Sequence, residues 1–548
     1  MSEQERLLSD RKLRWNRKLF FYFLLALMPL GTIIFLLFLN GYGYHVSLLF
    51  PAWNDEFVGW WPEIKAIIEF GKPLGYYGYN ETHSQIGTFG PWGFLPHLPY
   101  AVIGKIIRWY PHTMAIANCF FLGLALFVFC LITHATERET VKLGILYLCS
   151  FITVGYSFTS MAEGSRYAIG IVLMGAVVWL QRNGVGMQKT GFRYSVQCFL
   201  IIFFLLYAVS VYTIFALLVP VICWYGLRGM KLLPRLLLSI LLTIIVAVAG
   251  VMLNKLICAP YVESTIETIL FTIRNEGIYH GGCFFLNNLM ENLQTISFEG
   301  IINQPSAWKQ WFFIEYTGLL FCIFFKLVRR LRSMKTKEYR WTDKLHAMTD
   351  ELLPAFILTG FLLGYCALYT GGAATLCRGI NTGFLMVLCY AVICPGNEQE
   401  SVYVGSINSF VIACTVLGFS CIWSFHNQII DERVKASTYY SLIKEEASLL
   451  NQVIDISPEK SEWENTIAYY GEENVLYLAM PTGAGLNYMI DGKPCEQSGY
   501  AVFENVCSEV ERERWTEQLQ NNGYSMILKD NYFTVFTRNP YSSESDCL

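Results

Sequence analysis

Two adjacent carboxylates, Asp55 and Glu56, lie about fifteen residues after an apolar segment that runs from Leu19 to Leu39. That segment is long enough to cross a bilayer, so the pair is predicted to lie near a membrane surface. Carboxylates in that setting are candidates for a functional site, and a carboxylate can act as the general base that deprotonates an attacking hydroxyl. The alternative is a solvated cap on the following helical stretch, 57–70, because acidic residues favour helix N-termini.

A third carboxylate and two arginines occupy predicted ends of apolar segments. Glu163 and Arg166 lie in a short polar turn, and Arg378 follows the small-residue run 370–375. Arginine is suited to bidentate contacts with phosphate, so both arginines are candidate phosphate ligands. Two alternatives remain open: Glu163 and Arg166 form an ordinary helical pair at spacing i,i+3, and Arg378 only extends its charge to the interface.

Five further candidates lie in the Gly/Tyr/Pro-rich run that begins at Gly71. Lys72 is a candidate contact for an anion, and four further candidate site residues are Tyr79, Glu81, His83 and His97. Each has an ordinary alternative: a solvated loop for the charged residues and the histidines, and interfacial anchoring for the aromatic ring.

The composition indicates which elements must position these residues. The chain has 548 residues, of which 54% are hydrophobic and 15% charged, and the mean hydropathy is +0.38. Because a soluble protein carries about a quarter charged residues, this composition predicts a polytopic membrane protein. The net charge of −3 gives no indication of a nucleic-acid partner. Most cysteines lie within apolar runs, where they act as small hydrophobic residues.

The distribution of basic residues predicts the topology. Residues 1–18 form a basic N-terminus that the positive-inside rule places in the cytoplasm, as it does the basic cluster between 326 and 344. Residues 19–424 are predicted to form a transmembrane domain with outer loops at 40–111 and 259–307. About eleven spans are predicted, at 19–39, 113–133, 142–160, 167–181, two within 195–227, 236–257, 308–327, 352–369, 380–394 and 403–423.

Residues 425–548 are charged and contain no segment long enough to span a membrane. The pattern predicts a small α/β domain on the outer face, attached to a mainly α transmembrane bundle. Its predicted elements are a helix at 431–454, a strand at Val475–Met480, a helix at Ser508–Gln520 and a hairpin formed by Tyr524–Leu528 and Tyr532–Thr537.

The order of these features resembles the GT-C superfamily of integral membrane glycosyltransferases, which includes protein O-mannosyltransferases and lipid A aminoarabinose transferases. Three features carry the resemblance: Asp55-Glu56 after the first span, the Pro-rich segment 90–100 before the second, and the acidic turn 161–167 between the third and fourth. Two details depart from the family pattern. The family's Lys-Pro-Pro-Leu-like segment appears only loosely in residues 94–99, and Glu163 with Arg166 replaces an unambiguous Asp.

The resemblance implies an activity. A sugar would move from a polyprenyl-phosphate donor to a glycan, lipid or protein acceptor outside the membrane, with inversion. It implies Asp55 as the general base with Glu56 in support, and Glu163 either orienting the acceptor or binding Mg²⁺ or Mn²⁺ together with Asp55. Arg166, Arg378 and Lys72 would contact the donor phosphate. The sugar or the acceptor would contact Tyr79, Glu81, His83 and His97. A bacterial plasma membrane is the expected location.

Three other classes of protein are alternatives. A transporter or flippase of lipid-linked sugars predicts charged residues within spans and helices broken by Gly or Pro, whereas the predicted spans are nearly free of charge. A lipid-linked polysaccharide polymerase or ligase predicts Arg-rich outer loops rather than an early Asp-Glu pair. A non-catalytic scaffold gives no reason for acidic groups to gather on one face.

Overall fold

The chain was analysed as a computed structural model. It describes residues 3–53, 56, 60–71, 74–75, 85–86, 93–183, 192–227, 230–256, 265–334, 341–369, 372–393, 401–453, 475–477, 500–504, 513, 516–517, 519–521, 523–529 and 533–538.

Eighteen α-helices occur within these residues. They are α1 (Glu3–Leu39), α2 (Trp61–Phe70), α3 (Leu98–Ile107), α4 (Thr113–Thr133), α5 (Glu137–Cys149), α6 (Phe151–Ser157), α7 (Glu163–Asn183), α8 (Phe192–Val211), α9 (Leu218–Gly226), α10 (Leu232–Lys255), α11 (Thr265–Glu276), α12 (Ile278–Thr295), α13 (Phe298–Ile302), α14 (Ala307–Met334), α15 (Trp341–Leu368), α16 (Ala373–Ile393), α17 (Ser401–Leu417) and α18 (Phe419–Val453). Short 3₁₀ helices cover Val46–Leu48 and Thr213–Leu217.

Seven helices of the described part are long and apolar enough to cross a membrane, and the number rises to nine if each of two bent pairs forms one span. One bent pair consists of α5 and α6, which meet at an angle of 73°. The other consists of Ile407–Leu417 of α17 and Phe419–Thr438 of α18, which meet at an angle of 69°. Two shorter apolar helices, Val196–Val211 and Thr213–Gly226, lie where the sequence predicts two short spans. The polytopic helical bundle predicted from the sequence is therefore confirmed.

Helices α7 and α16 form the centre of the bundle. Almost all their residues are buried, whereas α10 is largely exposed. Small residues permit close helix packing: a side chain at Gly123 on α4 would clash with the backbone of Ala26 on α1. At the far end of α7, Arg182 donates a hydrogen bond to the carbonyl of Ile393 at 2.9 Å and another to the carbonyl of Thr133. These contacts tie together the C-terminal ends of α4, α7 and α16.

The opposite end of the bundle, at which α7, α14 and α16 begin, is called the site end below. Loop 40–53 and the turn before α7 lie there, as their contacts described below establish. The α3 helix, with ten residues, is too short to span a bilayer, as the sequence predicts for the segment 100–109.

The C-terminal part contains a four-stranded mixed sheet. Its strands are β3 (Val475–Tyr477), β4 (Tyr500–Glu504), β5 (Tyr524–Lys529) and β6 (Phe533–Arg538), in the order β3-β4-β6-β5. The hairpin predicted from the sequence is the antiparallel β5–β6 pair, whereas β4 was not predicted. Two short strands, β1 (Leu74–Gly75) and β2 (Gln85–Ile86), pair within the first predicted outer loop.

The sequence predicts a domain boundary between residues 424 and 425, and helix α18 continues across that position. The chain does not leave the bundle at that point: Phe425, Ile429 and Ile430 are buried in the common hydrophobic core. The predicted helix at 431–454 is thus the continuation of a helix that packs against the bundle. Its residues consequently belong to the surroundings of the site.

Candidate active site

Glu56 is fully buried at the site end and joins three segments of the chain. Its Oε2 accepts hydrogen bonds from the backbone N–H groups of Ala52 and Trp53, at 2.7 and 2.8 Å. Its Oε1 accepts one from the backbone N–H of Ser160 and one from Nη2 of Arg433, both at 2.6 Å. Each carboxylate oxygen therefore has two donors, and Glu56 is not the solvated helix cap considered from the sequence.

Arg433, the cation of this pair, is also fully buried. Its Nε donates to the carbonyl of Phe158 at 3.0 Å, and its guanidinium lies 4.3 Å from the ring centroid of Trp53. The two residues that precede it on α18 also contact the loop after α1. Tyr42 donates to Asp431 at 2.8 Å and the Trp53 indole donates to Glu432 at 2.8 Å.

Three consecutive residues of α18, Asp431, Glu432 and Arg433, thus hold the loop after α1. We call Glu56 and Arg433 together the sealed pair. The hydrogen bond from Tyr42 to Asp431 also raises the pKa of the Tyr42 phenol, because the anionic carboxylate favours the protonated form.

A second ionic group forms at the start of α7, and we call it the open triad. Glu163 forms an ion pair with Arg166 one turn along the helix, and Nη1 of Arg378 lies 3.7 Å from Glu163 Oε1. Arg378 also donates to Thr375 Oγ1 at 3.0 Å and contacts the Met161 sulfur at 2.9 Å. One carboxylate and two guanidinium groups leave this group with a net positive charge.

The two arginines of the open triad differ in their surroundings. Arg166 is 7% exposed, and the ring centroids of Tyr167, Tyr212 and Tyr365 lie 5.5, 5.6 and 5.9 Å from its guanidinium carbon. This enclosure favours the i,i+3 pair that the sequence offered as an alternative role for Arg166. The Arg378 side chain is 16% exposed and borders a cavity, so it is the better placed of the two for a ligand.

The backbone around the open triad is held by α4. Asn118 donates to the carbonyls of Thr159 and Met161, both at 2.9 Å, and accepts from the Tyr100 hydroxyl at 2.6 Å. A side chain at position 164 would clash with Asn118, so Gly164 permits this close approach. The start of α7 is therefore fixed against the neighbouring helices.

A cavity of about 340 Å³ opens beside Arg378. It is lined by Trp53, Tyr156, Met161, Ser306, Trp308, Lys309, Ala374, Arg378, Phe425, Gln428, Ile429 and Glu432. Two cations, Arg378 and Lys309, share its wall with several aromatic rings. This combination suits a ligand that joins an anionic group to a ring or chain with apolar faces.

His97 is buried away from the cavity lining. Its Nε2 lies 3.3 Å from Oε2 of Glu63, and its ring centroid is 4.9 Å from that of Trp60. Burial lowers the pKa of His97 to about 3, because the low-dielectric surroundings disfavour the imidazolium form. A neutral, enclosed histidine packs the α2–α3 region and does not reach a sugar or an acceptor in this cavity.

Several predicted site residues lie outside the described residues, namely Asp55, Lys72, Tyr79, Glu81 and His83. Asp55 falls in the sequence between Trp53, which lines the cavity, and Glu56 of the sealed pair. Among the residues that the structure describes, no group of three or more His, Cys, Asp or Glu side chains is placed to hold a metal ion. The two arginines beside Glu163 do not fit a divalent cation there, since they would repel it.

Sequence reasoning missed four residues of this end of the bundle: Lys309, Trp308, Glu432 and Arg433. Trp308 and Lys309 lie at the start of α14, where an aromatic and a basic residue are typical of a membrane interface. The other two lie in a segment assigned to a separate domain. A further unpredicted feature is Glu315, a buried carboxyl group within α14 that is 1% exposed.

No protein-family model and no curated protein sequence matches this chain. Two solved structures are similar to it, and both are of ArnT from Cupriavidus metallidurans. The crystal structure bound to undecaprenyl phosphate has a TM-score of 0.44 and 12% sequence identity, covering 94% of this chain and 98% of that one. The apo structure has a TM-score of 0.43 and 11% identity, covering 93% and 98%.

Proposed function

We propose that this chain is an integral membrane glycosyltransferase that moves a sugar from a polyprenyl-phosphate donor to an acceptor at the site end. The observation that carries the proposal is the cavity in which Arg378 and Lys309 meet Trp53 and Trp308. A phosphate requires cationic donors, and the faces of a sugar ring pack against aromatic rings. The sequence resemblance supplies the donor class, and the acceptor is a glycan, a lipid or a protein.

The chemistry assigned to the site is one displacement at the anomeric carbon. The acceptor oxygen forms a bond to that carbon while the bond between the carbon and the phosphate oxygen breaks. Asp55 takes the acceptor's proton, and the polyprenyl phosphate leaves with the bonding electrons. Negative charge grows on the leaving phosphate, so fixed cations at that position lower the barrier.

Arg378 is the residue assigned to the leaving phosphate, with Lys309 as the second cation. Arg378 is held by Thr375 and Met161 on one side and by Glu163 on the other. A guanidinium that is oriented before the donor arrives loses little conformational entropy on binding. Glu163 then serves to orient Arg378, and Arg166 holds Glu163 against the tyrosines behind it.

The sealed pair is assigned a positioning role. Glu56 fastens the backbone of Ala52 and Trp53, and Asp55 is its direct neighbour in the sequence. With both its oxygens fully occupied, Glu56 has no free lone pair with which to accept a proton from a substrate. Glu56 therefore supports Asp55 by fixing the chain on either side of it, and Asp55 is the residue that performs the proton transfer.

The proposal is tested by filling the cavity with a larger side chain and measuring the transfer of the sugar. Ala374 lines the cavity, so Ala374→Trp would occupy the space that a donor headgroup needs. Ala307, an exposed residue at the start of α14, offers a matched small-to-large control that does not line it. Proteoliposomes containing each protein receive a radiolabelled polyprenyl-phosphate sugar and crude membrane acceptors. We expect transfer by wild type and Ala307→Trp and its loss in Ala374→Trp; equal transfer by all three would contradict the proposal.

One observation favours a transporter of lipid-linked sugars as the second candidate. Glu315 is a buried carboxyl group within a span, and such residues commonly mark transport pathways. A transporter would move the labelled lipid between leaflets without cleaving it. Loss of that movement in Glu315→Gln, together with intact lipid-linked sugar in wild type, would establish the second candidate over the first.

A further inference from the structure

The segment between α10 and α14 has an unusual distribution of polar and apolar side chains. Asn288 and Asn292 lie on the face of α12 that packs against α15. The Asn288 amide donates to the carbonyl of Ala367 at 2.8 Å, and the Asn292 amide donates to the carbonyls of Cys366 and Tyr369, both at 2.9 Å. The last carbonyls of a helix have no partner within it, so α12 caps the C-terminal end of α15.

The opposite face of α12 is apolar and exposed. Tyr279, Leu286 and Met290 are 77%, 55% and 57% exposed. Their spacing of seven and four residues places them on one side of a helix. The usual arrangement of a soluble protein is therefore reversed: the amides face the protein, and the large apolar side chains face outward.

The same feature continues on the helices before and after α12. Leu270 and Phe271 are exposed on α11, and Phe298 and Ile302 are exposed on α13. Helix α11 packs tightly on α12, because a side chain at Gly281 would clash with Ile273. The chain reverses at Gly277, whose φ of +95° suits glycine. Each of the three helices thus exposes large apolar side chains, and we call these side chains together the α11–α13 surface.

We infer that the α11–α13 surface lies against the bilayer, with its apolar side chains at the boundary between lipid headgroups and acyl chains. Two observations select lipid as the occupant. The amides of α12 bind the end of α15, which by length and composition is the end of a membrane span, and the end of a span lies at that boundary. Exposed apolar side chains of the same kind cover α10, the preceding span-length helix.

A surface of this kind would fix the height of the neighbouring site relative to the membrane. Tyr369, whose carbonyl accepts from Asn292, lies 4.7 Å from Tyr365 between ring centroids. Tyr365 in turn faces the guanidinium of Arg166. The α11–α13 surface is therefore connected to the open triad through two tyrosines, and an amphipathic helix of this type inserts about 5–10 Å into the interface.

Photo-crosslinking of the full chain in lipid nanodiscs tests the inference without reference to any enzymatic activity. A benzophenone amino acid replaces Phe271, Tyr279 or Leu286 in separate proteins. Glu291 on α12, an exposed charged residue, provides the matched control position. The nanodiscs contain phosphatidylcholine and phosphatidylglycerol, and adducts are identified by mass spectrometry after irradiation.

We expect lipid adducts at Phe271, Tyr279 and Leu286 that are several-fold more abundant than at Glu291. The three replaced side chains are exposed, so the probe fits without repacking the core. Crosslinks to a second copy of the chain in place of lipid would overturn the inference. Lipid adducts that are no more abundant at these three positions than at Glu291 would also overturn it, since the surface would then face solvent.

Discussion

The sealed pair and the open triad are two ionic groups at the same end of the bundle, and they differ in burial and in how fully they are paired. Glu56 and Arg433 have no exposed surface, and both Glu56 oxygens are saturated by donors. Arg378 of the open triad borders a cavity, and its contact with Glu163 is long, at 3.7 Å. One group is closed within the protein, and the other presents charge to a space that can hold a ligand.

This difference assigns different tasks to residues of the same chemical type. A buried ion pair contributes little net stability over an apolar replacement, but removing one partner is costly. The sealed pair therefore fixes geometry. A partly exposed, preorganised guanidinium keeps its capacity to bind an anion, so we propose that the open triad is the group that changes partner when a ligand arrives.

Breaking the sealed pair is expected to have the largest effect on stability. Arg433→Met leaves the Glu56 carboxylate buried without its cation, and such a loss typically costs about 3–5 kcal/mol. Thermal inactivation in detergent measures the effect. Lys435→Gln, which removes an exposed cation two residues later on the same helix, is the matched control. Equal thermal stability of wild type and Arg433→Met would contradict the assignment of a closed structural role.

Removing Arg378 from the open triad is expected to reduce donor affinity while leaving stability nearly unchanged. A hydrogen bond to a charged group contributes about 1.5–3 kcal/mol, so Arg378→Gln should weaken donor binding roughly 10- to 150-fold. Equilibrium binding of a polyprenyl-phosphate sugar to the detergent-solubilised protein measures the change. Arg332→Gln, at an exposed position in the last turn of α14 and away from the site end, is the control arginine. Unchanged affinity in Arg378→Gln would remove this residue from the donor site.

The second cation of the cavity should have the smallest effect. Lys309 lies 5.4 Å from the Trp308 ring centroid and is partly exposed. Partly solvated charge pairs contribute about 0.2–1 kcal/mol, so Lys309→Gln should weaken donor binding only a few-fold, and more at low ionic strength. A salt series of the same binding measurement tests this. An effect as large as that of Arg378→Gln would contradict the smaller contribution expected of Lys309.

The sequence was sufficient for the helical bundle because the spans are long, apolar and separated by charged loops. It also placed Glu163, Arg166 and Arg378 at ends of helices, where the structure brings them together. The bends between α5 and α6 and between α17 and α18 were not predicted, since neither interrupts the apolar pattern. Helix ends are marked by local residues, such as the capping box of Thr136 and Glu139 at the start of α5, whereas bends depend on packing.

The sealed pair could not be predicted, for a different physical reason. Glu56 and Arg433 lie 377 positions apart, and nothing in the local sequence of either residue indicates the other. Arg433 follows the last predicted span in a charged segment, which is typical of a soluble domain. Its charge is buried because the loop after α1 packs on α18, and only the structure shows this packing.

Asp55 is proposed to perform the proton transfer, and its neighbour Glu56 is proposed only to position the chain. Turnover of a polyprenyl-phosphate sugar, measured with Asp55→Asn and wild-type protein at equal folded abundance, tests this proposal most directly. Loss of a general base costs about two to four orders of magnitude in rate, and donor affinity should remain because Arg378 and Lys309 are intact. We predict that outcome for Asp55→Asn; near-normal turnover by this variant would contradict the account.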